Sequence, residues 1–341
     1  MHRLPALLFC LTLPAATALA AGTPHKSTKT PTPTVASFQR DLVNVLALRA
    51  EAKPLLGAAL LARTLPDVPD FISYHALLTR AAQATDAGPA ITWARLVDCD
   101  AKAMDCPNGK ALAELEKQAP DNAAVWLMAL GQAVHDDHHH AARTVLLKAA
   151  AASRYDDYRG INMQALTMAV DTLPPPANLY SGKHAAADSA AGVRALLVFG
   201  QGGLEPIPGF HAVARQCAKD KIDATQRATC LQLGKTLAWG SSPLARSLGL
   251  HLQQTLSADA DARQQAREAW RNLAWQIHNF SRLTFLAPRD QKIAALLLQL
   301  ARQGGTRMSL ILAALRVEHI PVDAPIGWQP GQPAPASTSS R

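Results

Sequence analysis

The spacing of the apolar residues is the feature that most constrains the fold. Along most of the chain they recur every three or four positions, as Phe38, Leu42, Val45 and Leu46 do within residues 35–52. Such spacing places apolar side chains on one face of an amphipathic helix. The strict alternation that marks a half-buried strand is nearly absent. The pattern therefore predicts an all-α protein.

Prolines and glycines divide this pattern into segments of helical length. Pro243 is placed to open a helix at its first turn, and Gly304 to end one. The segment LPPPANLYSGKH makes the longest interruption. We therefore predict a loop at 174–187 between an N-terminal helical half, residues 35–173, and a C-terminal helical half, residues 188–328.

The first twenty residues have the composition of an export signal. His2 and Arg3 form a positive start, an apolar run continues to Leu13, and Ala18 and Ala20 are the small residues that a signal peptidase reads at its −3 and −1 positions. The apolar run is too short for a permanent membrane anchor. We expect a signal peptide at 1–20, no transmembrane anchor after its cleavage, and a periplasmic or secreted mature chain.

Composition also indicates which structure to expect at the two termini and which class of partner to exclude. Residues 21–34 and 329–341 are rich in proline and small polar residues, so we expect a disordered linker and a disordered tail. The formal net charge is +8, but Lys and Arg are scattered without a run, which argues against a nucleic-acid partner. The Ala-Leu-Arg bias is typical of a GC-rich bacterium, so the expected compartment is the bacterial cell envelope.

Four cysteines remain after removal of the one in the signal peptide. An even number in an oxidising compartment favours disulfides, and the absence of a C-x-x-C pair argues against zinc. Of three connectivities we prefer Cys99–Cys106 and Cys217–Cys230. In one continuous helix Cys99 and Cys106 would lie about 10 Å apart, so their bond needs a chain break. The Pro-Asn-Gly sequence at 107–109 supplies one.

Residues 123–152 resemble a helical hairpin of the tetratricopeptide type. They share its first-helix aromatic residue and the small-large-small pattern of its second helix, where small residues allow close approach. The matching residues are Trp126, Ala142, Leu146 and Ala149. The segment departs from the family in three respects: Leu130 and Gly131 lie one place later than its Leu-Gly step, Ala133 replaces its usual tyrosine, and its closing proline is missing near Arg154.

A shift of 103 residues aligns this unit with a second one. Residues 130–131 then meet 233–234 as Leu-Gly, and residues 142–143 meet 245–246 as Ala-Arg. The resemblance implies antiparallel helical hairpins stacked as an α-solenoid-like array, a fold that commonly binds peptides or proteins. It transfers no catalytic residue to this chain.

The densest group of potential metal ligands is HDDHHH, residues 135–140. In the hairpin alignment it lies at the turn between two helices, where Asp136 and Asp137 are of the type that caps a helix N-terminus. We interpret it as a solvated turn. The alternative is a modest site for zinc, copper or nickel, whose ligands would be His135, Asp137, His138 and His139.

Two further groups are interpreted structurally. Asp156 and Asp157 are expected to cap a helix instead of forming a catalytic carboxylate pair. Aromatic residues in the C-terminal half are expected to pack between helices instead of forming a ligand cage; they are Trp270, Trp275, Phe280 and Phe285.

The leading functional hypothesis is an exported helical-repeat protein of the bacterial cell envelope that acts as a protein-binding or scaffold module. Its partner would be a protein or peptide, and no cofactor is expected. The first alternative is an envelope hydrolase with a site near the loops at 173–184 and 200–209. The second is a metal-binding protein that uses the histidine cluster at 135–140.

The metal hypothesis predicts that zinc binds to the wild-type chain and that replacement of His138, His139 and His140 by alanine removes the binding. Imidazole and carboxylate groups are suitable zinc ligands, and the triple variant loses two of the four named ligands, His138 and His139, together with the neighbouring His140. Isothermal calorimetry with zinc measures the difference. Equal heats for the two proteins would contradict a metal site at this turn.

Overall fold

The structure, a computed structural model, describes residues 33–98, 108–183, 185–200 and 206–331. Within these ranges the chain forms fifteen α-helices and four short 3-10 helices, and its only β-type pairing is an isolated bridge between Asn122 and Arg154. The predicted all-α fold is confirmed.

The helices vary in length and the longest is the thirteenth. They are α1 (Val35–Leu46), α2 (Ala52–Ala62), α3 (Tyr74–Gln83), α4 (Pro89–Ala94), α5 (Gly109–Gln118), α6 (Ala123–His135), α7 (His139–Ala151), α8 (Arg159–Val170), α9 (Ala190–Gly200), α10 (Phe210–Gln216), α11 (Ala224–Ala238), α12 (Pro243–Leu256), α13 (Ala260–Leu286), α14 (Gln291–Gln303) and α15 (Arg307–Val317). The 3-10 helices are Asp70–Ile72, Arg95–Val97, Ala177–Leu179 and Lys219–Lys221.

Several pairs of consecutive helices pack closely against each other, and the hairpins of α6 with α7 and of α11 with α12 are two of them. Helix α7 packs against α11, so the two hairpins are neighbours although α8, α9 and α10 lie between them in the sequence. Helices α8 and α9 pack elsewhere, against α2 and α14. The 103-residue shift places His135, the last residue of α6, on Ala238, the last residue of α11. The two aligned units are therefore adjacent hairpins with matching ends.

Glycine allows close helix packing in one hairpin but has another role in the other. A Cβ atom at Gly249 of α12 would lie 2.6 Å from the carbonyl oxygen of Gly234 in α11, so no larger residue fits there without a shift of the backbone. Gly131, which aligns with Gly234, instead faces Gly209 just before α10. The helices of the two units have similar lengths, 13 and 15 residues for the first helix and 13 and 14 for the second, but their glycines pack against different neighbours.

Two large apolar cores hold the described helices together. One lies among α4–α7 and α10–α12 and includes Leu130 and Leu233. The other core includes Leu61 of α2, which lies before the loop at 174–187, and Leu297 of α14, which lies after that loop. Residues on both sides of that loop therefore share a core, and the chain from Pro33 onward forms one compact unit.

A buried polar junction fixes the loop between α7 and α8. The Asn122 side chain is fully buried; its Oδ1 accepts from the Asp156 backbone N–H at 2.8 Å, and its Nδ2 donates to the Asp156 carbonyl at 2.7 Å. On the other side, Asp157 Oδ1 accepts from Ser241 Oγ at 2.9 Å. Ser241 lies between α11 and α12, so the junction joins the ends of both hairpins. Buried polar groups must find partners, and here each bond specifies one arrangement.

The two aspartates precede α8, but neither is its N-cap residue, so the expected cap is wrong in position: the N-cap is Tyr158, which makes no side-chain cap hydrogen bond. Asp156 Oδ1 accepts from the Tyr158 backbone N–H at 2.9 Å, and α8 begins at Arg159. Burial raises the pKa of Asp156, and the neighbouring charge of Asp157 adds to the rise, although the Tyr158 N–H opposes it. A carboxyl group whose pKa is higher in the folded state than in the unfolded state destabilises the fold when it is charged. This cost disappears at a pH low enough to protonate the group in both states.

The substitution Asp156→Asn is therefore expected to raise the free energy of unfolding at pH 7.5, because it removes a partly desolvated charge and keeps the Oδ1 acceptor. The gain should shrink as the pH is lowered from 7.5 to 4.5, because the raised pKa makes the folded wild-type carboxyl group take up its proton at a higher pH than the unfolded one does. Urea denaturation at both pH values measures the two differences.

Asp121→Asn is the matched control of opposite sign. The pKa of Asp121 is lowered, first by a hydrogen bond from Arg154, whose Nε lies 2.8 Å from Asp121 Oδ2. Its charge therefore favours folding above the unfolded pKa, and the control variant should be slightly less stable at pH 7.5. Destabilisation by Asp156→Asn at pH 7.5 would contradict the predicted sign.

Candidate peptide-binding groove

The HDDHHH cluster forms an exposed turn between two helices. Helix α6 ends at His135 and α7 begins at His139. Asp137 adopts the left-handed conformation with φ 55°, and the His138 N–H donates to the Ala133 carbonyl at 2.9 Å. This six-to-one bond is typical of a Schellman helix end, and aspartate tolerates the left-handed region better than most residues.

The expected aspartate cap at the start of α7 is wrong. The N-cap residue is His138, which makes no side-chain cap hydrogen bond, and Asp136 instead accepts from Gln132 Nε2 at 2.8 Å. The four proposed metal ligands are all exposed: His135, Asp137, His138 and His139. Across the described ranges, no three His, Cys, Asp or Glu side chains are grouped so that they could hold a metal ion.

The predicted Cys217–Cys230 pair forms a disulfide bond, with the Cα atoms 5.8 Å apart. Both cysteines are buried, and the bond ties the end of α10 to the middle of α11. The other predicted pair, Cys99 and Cys106, lies outside the described residues.

The loops proposed for a hydrolase border an apolar cleft of about 710 Å³ between α9 and α13. Its lining includes Leu196, Phe199, Thr284, Phe285 and Arg289, and contains no acid, histidine or cysteine among the described residues. His184 and residues 201–205 lie outside the described ranges. The hydroxyl groups of the described lining belong to Ser281 and Thr284, and no acid, histidine or cysteine of that lining stands beside them to activate a nucleophile.

A second groove lies between α12 and α13 and has a more polar lining. Its volume is about 390 Å³. The floor is apolar, with Leu250 and Leu273, whereas polar side chains surround it. We call it the α12–α13 groove, and its polar lining residues are Arg246, Gln253, Gln265, Asn272, Gln276 and Asp323.

The helical period places the α13 lining residues on one face. Gln265, Ala269, Asn272 and Gln276 follow each other at intervals of four, three and four residues. Small Ala269 leaves room between the amides. Side-chain amides both donate and accept hydrogen bonds, which matches the alternating N–H and C=O groups of a peptide backbone.

Arg246 is a half-buried cation without a charged partner in the described chain. Its Nε donates to the Gly240 carbonyl at 2.8 Å. No carboxylate lies within ion-pair distance in the described ranges, and burial alone lowers the pKa of Arg246. A guanidinium group still stays charged at neutral pH. The groove therefore holds a partly desolvated positive charge that can take an anionic group.

Trp239 stands beside Arg246 at the end of α11 and is 84% exposed. When a partner covers an indole ring that is exposed at the edge of a groove, burial of the ring stabilises the complex. On α13, Trp270 is less exposed, and its Nε1 donates to Ser247 Oγ at 3.2 Å. Trp239 is thus the main uncovered aromatic residue at this site.

A non-helical segment of the same chain makes hydrogen bonds along α13. After α15, residues 320–328 follow a non-helical path across α13; we call this segment the C-terminal strap. Gln276 Nε2 donates to the Val322 carbonyl at 2.9 Å. Asn272 contacts two neighbouring strap residues, donating to Asp323 Oδ1 at 2.9 Å and accepting from the Ala324 N–H at 3.0 Å.

The aromatic residues expected to pack between helices divide into two groups. Trp275 and Phe280 are buried, in line with the expectation, but Phe285 is 81% exposed and Trp270 is 39% exposed. Sequence reasoning missed Arg246 because an isolated arginine in a helix gives no sign of its burial. The amide spacing on α13 was visible in the sequence, but nothing in it showed which face of the helix was open.

No family model, curated protein or solved structure matches the chain. In the part of the chain that the structure describes, no helix is both long and apolar enough to cross a membrane. The fold and the groove together define an all-α protein of packed helical hairpins with an open, amide-lined groove along its longest described helix.

Proposed function

We propose that this protein is a protein-binding module that holds a non-helical segment of a partner in the α12–α13 groove. The observation that carries the proposal is the set of hydrogen bonds from Asn272 and Gln276 to the C-terminal strap. Two of these bonds join α13 amides to backbone groups of the strap, which supports pairing of α13 with a peptide backbone. Gln253 and Gln265 extend the same chemistry along the groove.

The partner segment is proposed to carry an acidic residue. Arg246 would bind its carboxylate through the guanidinium Nη atoms, which make no hydrogen bond to the described chain. A charge-assisted bond in a partly desolvated groove is stronger than one at an open surface. Trp239 would cover an apolar or aromatic residue next to the acid. The net charge of +8 also favours the approach of an acidic partner.

We infer further that the α6–α7 and α11–α12 hairpins are divergent copies of one unit of the tetratricopeptide type. Their adjacency and matching ends support this inference, whereas the different neighbours of Gly131 and Gly234 show how far they have diverged. Stacked hairpins leave a groove between successive units, and repeat proteins use such grooves to bind partners.

The proposed setting is the bacterial cell envelope. The signal-like residues 1–20 support export, and the Cys217–Cys230 disulfide fits an oxidising compartment. In that setting the protein would act as a binding or scaffold component.

A random peptide library displayed on phage, selected against the full chain, tests the proposal. We expect enriched peptides to share an acidic residue next to an apolar or aromatic one. Fluorescence anisotropy with a synthetic peptide of the enriched sequence should then show that Arg246→Ala weakens binding by about ten-fold or more, the usual effect of losing a charge-assisted contact. Trp239→Ala should weaken it as well.

Arg282→Ala is the matched control, because Arg282 is an exposed arginine of α13 outside the groove lining. It should leave the affinity within about two-fold of the wild type, as expected for an exposed charge away from the contact. An equal loss for Arg246→Ala and Arg282→Ala would indicate nonspecific attraction to the basic surface. Enrichment of no acidic sequence would contradict the proposed groove chemistry.

A further inference from the structure

The C-terminal strap is held mainly through its backbone. Trp275 Nε1 donates to the Pro321 carbonyl at 2.8 Å, and Gln276 donates to the next carbonyl, that of Val322. Asn272 accepts from the Ala324 N–H. Because carbonyl and N–H groups are present in every peptide, this face of α13 can bind other segments in the same way.

Most of the strap rests on a small apolar cluster, whereas its first residue, Ile320, packs against both this cluster and one main core. The Trp328 ring packs edge-on against Trp275 with ring centroids 5.3 Å apart, and Ala324 completes the cluster. The rest of the strap is largely exposed, and Ile326 has no cover at all. Segments with few buried contacts open at low free-energy cost, and opening from Pro321 onward would leave the residues of both main cores in place.

The strap also borders the proposed binding groove. Asn272 and Gln276 contact the strap and line the α12–α13 groove at the same time, and Asp323 of the strap closes one end of the groove. The face under the strap is therefore continuous with the groove. A partner segment longer than the groove would meet the strap at Asp323.

We propose that the α13 face formed by Asn272, Trp275 and Gln276 is a second part of the peptide-binding site, and that the C-terminal strap fills it as an internal ligand. The ligand class is a non-helical segment that presents backbone carbonyls to Trp275 and Gln276 and places a tryptophan against Trp275. The inference rests on the proposed function in that both use one continuous groove.

An internal ligand competes strongly with an external one. A tethered segment acts at an effective concentration of about millimolar, so an external segment must exceed the strap in affinity or find it detached. The strap would thus limit binding to partners that can replace its contacts. Weakening the strap should make the site available.

The test uses a fluorescein-labelled synthetic peptide with the sequence of residues 319–331 and measures its fluorescence anisotropy with full-length protein. We expect the full-length Trp328→Ala variant to bind the peptide about ten-fold more tightly than the wild type does, because its own strap no longer fills the site. Adding Asn272→Ala to that variant should remove most of the binding. Adding Gln299→Ala, an exposed amide of α14, should have no effect.

A second strap variant, Ala324→Arg, places a charge in the same small cluster without altering α13. It should also increase binding of the peptide, and circular dichroism should show that both variants keep the wild-type helical signal. Failure of both variants to bind the peptide, or equal binding with and without Asn272→Ala, would overturn the inference. Loss of the helical signal in both variants would overturn it too, since the strap would then belong to the main fold.

These outcomes are distinct from those for the proposed function, because the strap peptide is tested on Asn272 and the selected acidic peptides on Arg246. If the strap peptide binds but no acidic peptide does, the strap site stands and the proposed groove chemistry fails. Acidic peptides could instead bind through Arg246 with the same affinity to the wild type and to Trp328→Ala, while the strap peptide does not bind. In that case the proposed groove chemistry stands and the strap site fails.

Discussion

The arrangement of the hairpins depends on the buried polar junction between the loop that follows α7 and the loop that joins α11 to α12. Asn122 precedes α6, and its amide oxygen and nitrogen both hydrogen-bond to the backbone of the loop after α7. A hydrogen bond from Ser241 to Asp157 ties that loop to the loop between α11 and α12. Apolar packing between helices is tolerant of sliding, but a buried hydrogen bond is lost if its partners move by an ångström or two. The junction therefore sets the position of α11–α12 beside α6–α7, and the groove follows from it.

The α12–α13 groove combines two features that cost free energy in the isolated protein. Arg246 is partly desolvated without a carboxylate partner, and Trp239 leaves an indole ring in water. Neither feature stabilises the fold. Both would be compensated by a bound segment that supplies an acid and an apolar surface, which is why the groove is the strongest candidate for a functional surface. The adjacent face of α13 makes hydrogen bonds to backbone groups of the strap.

Much of the architecture was predictable from local patterns. The helical spacing of apolar residues predicted the all-α fold, Pro243 opens α12, and Gly304 caps α14. The 103-residue shift between Leu-Gly pairs identified hairpins that prove to be neighbours. Other features were not predictable: Asp136 and Asp137 do not cap α7, because the turn closes through the left-handed Asp137 and leaves His138 at the cap position. The shared core across the loop at 174–187 also depends on contacts between helices far apart in the sequence.

The sequence by itself determined the secondary structure, the position of the solvated histidine turn and the cysteine pair at 217 and 230, because each depends on residues close together in the chain. Only the tertiary structure decided that Arg246 is half-buried beside Trp239 and that the amides of α13 face an open groove and the strap. Burial depends on which distant helices approach each other, and α13 meets both α12 and the segment after α15. The candidate binding surface therefore arises from packing between elements, and no single stretch of the sequence contains it.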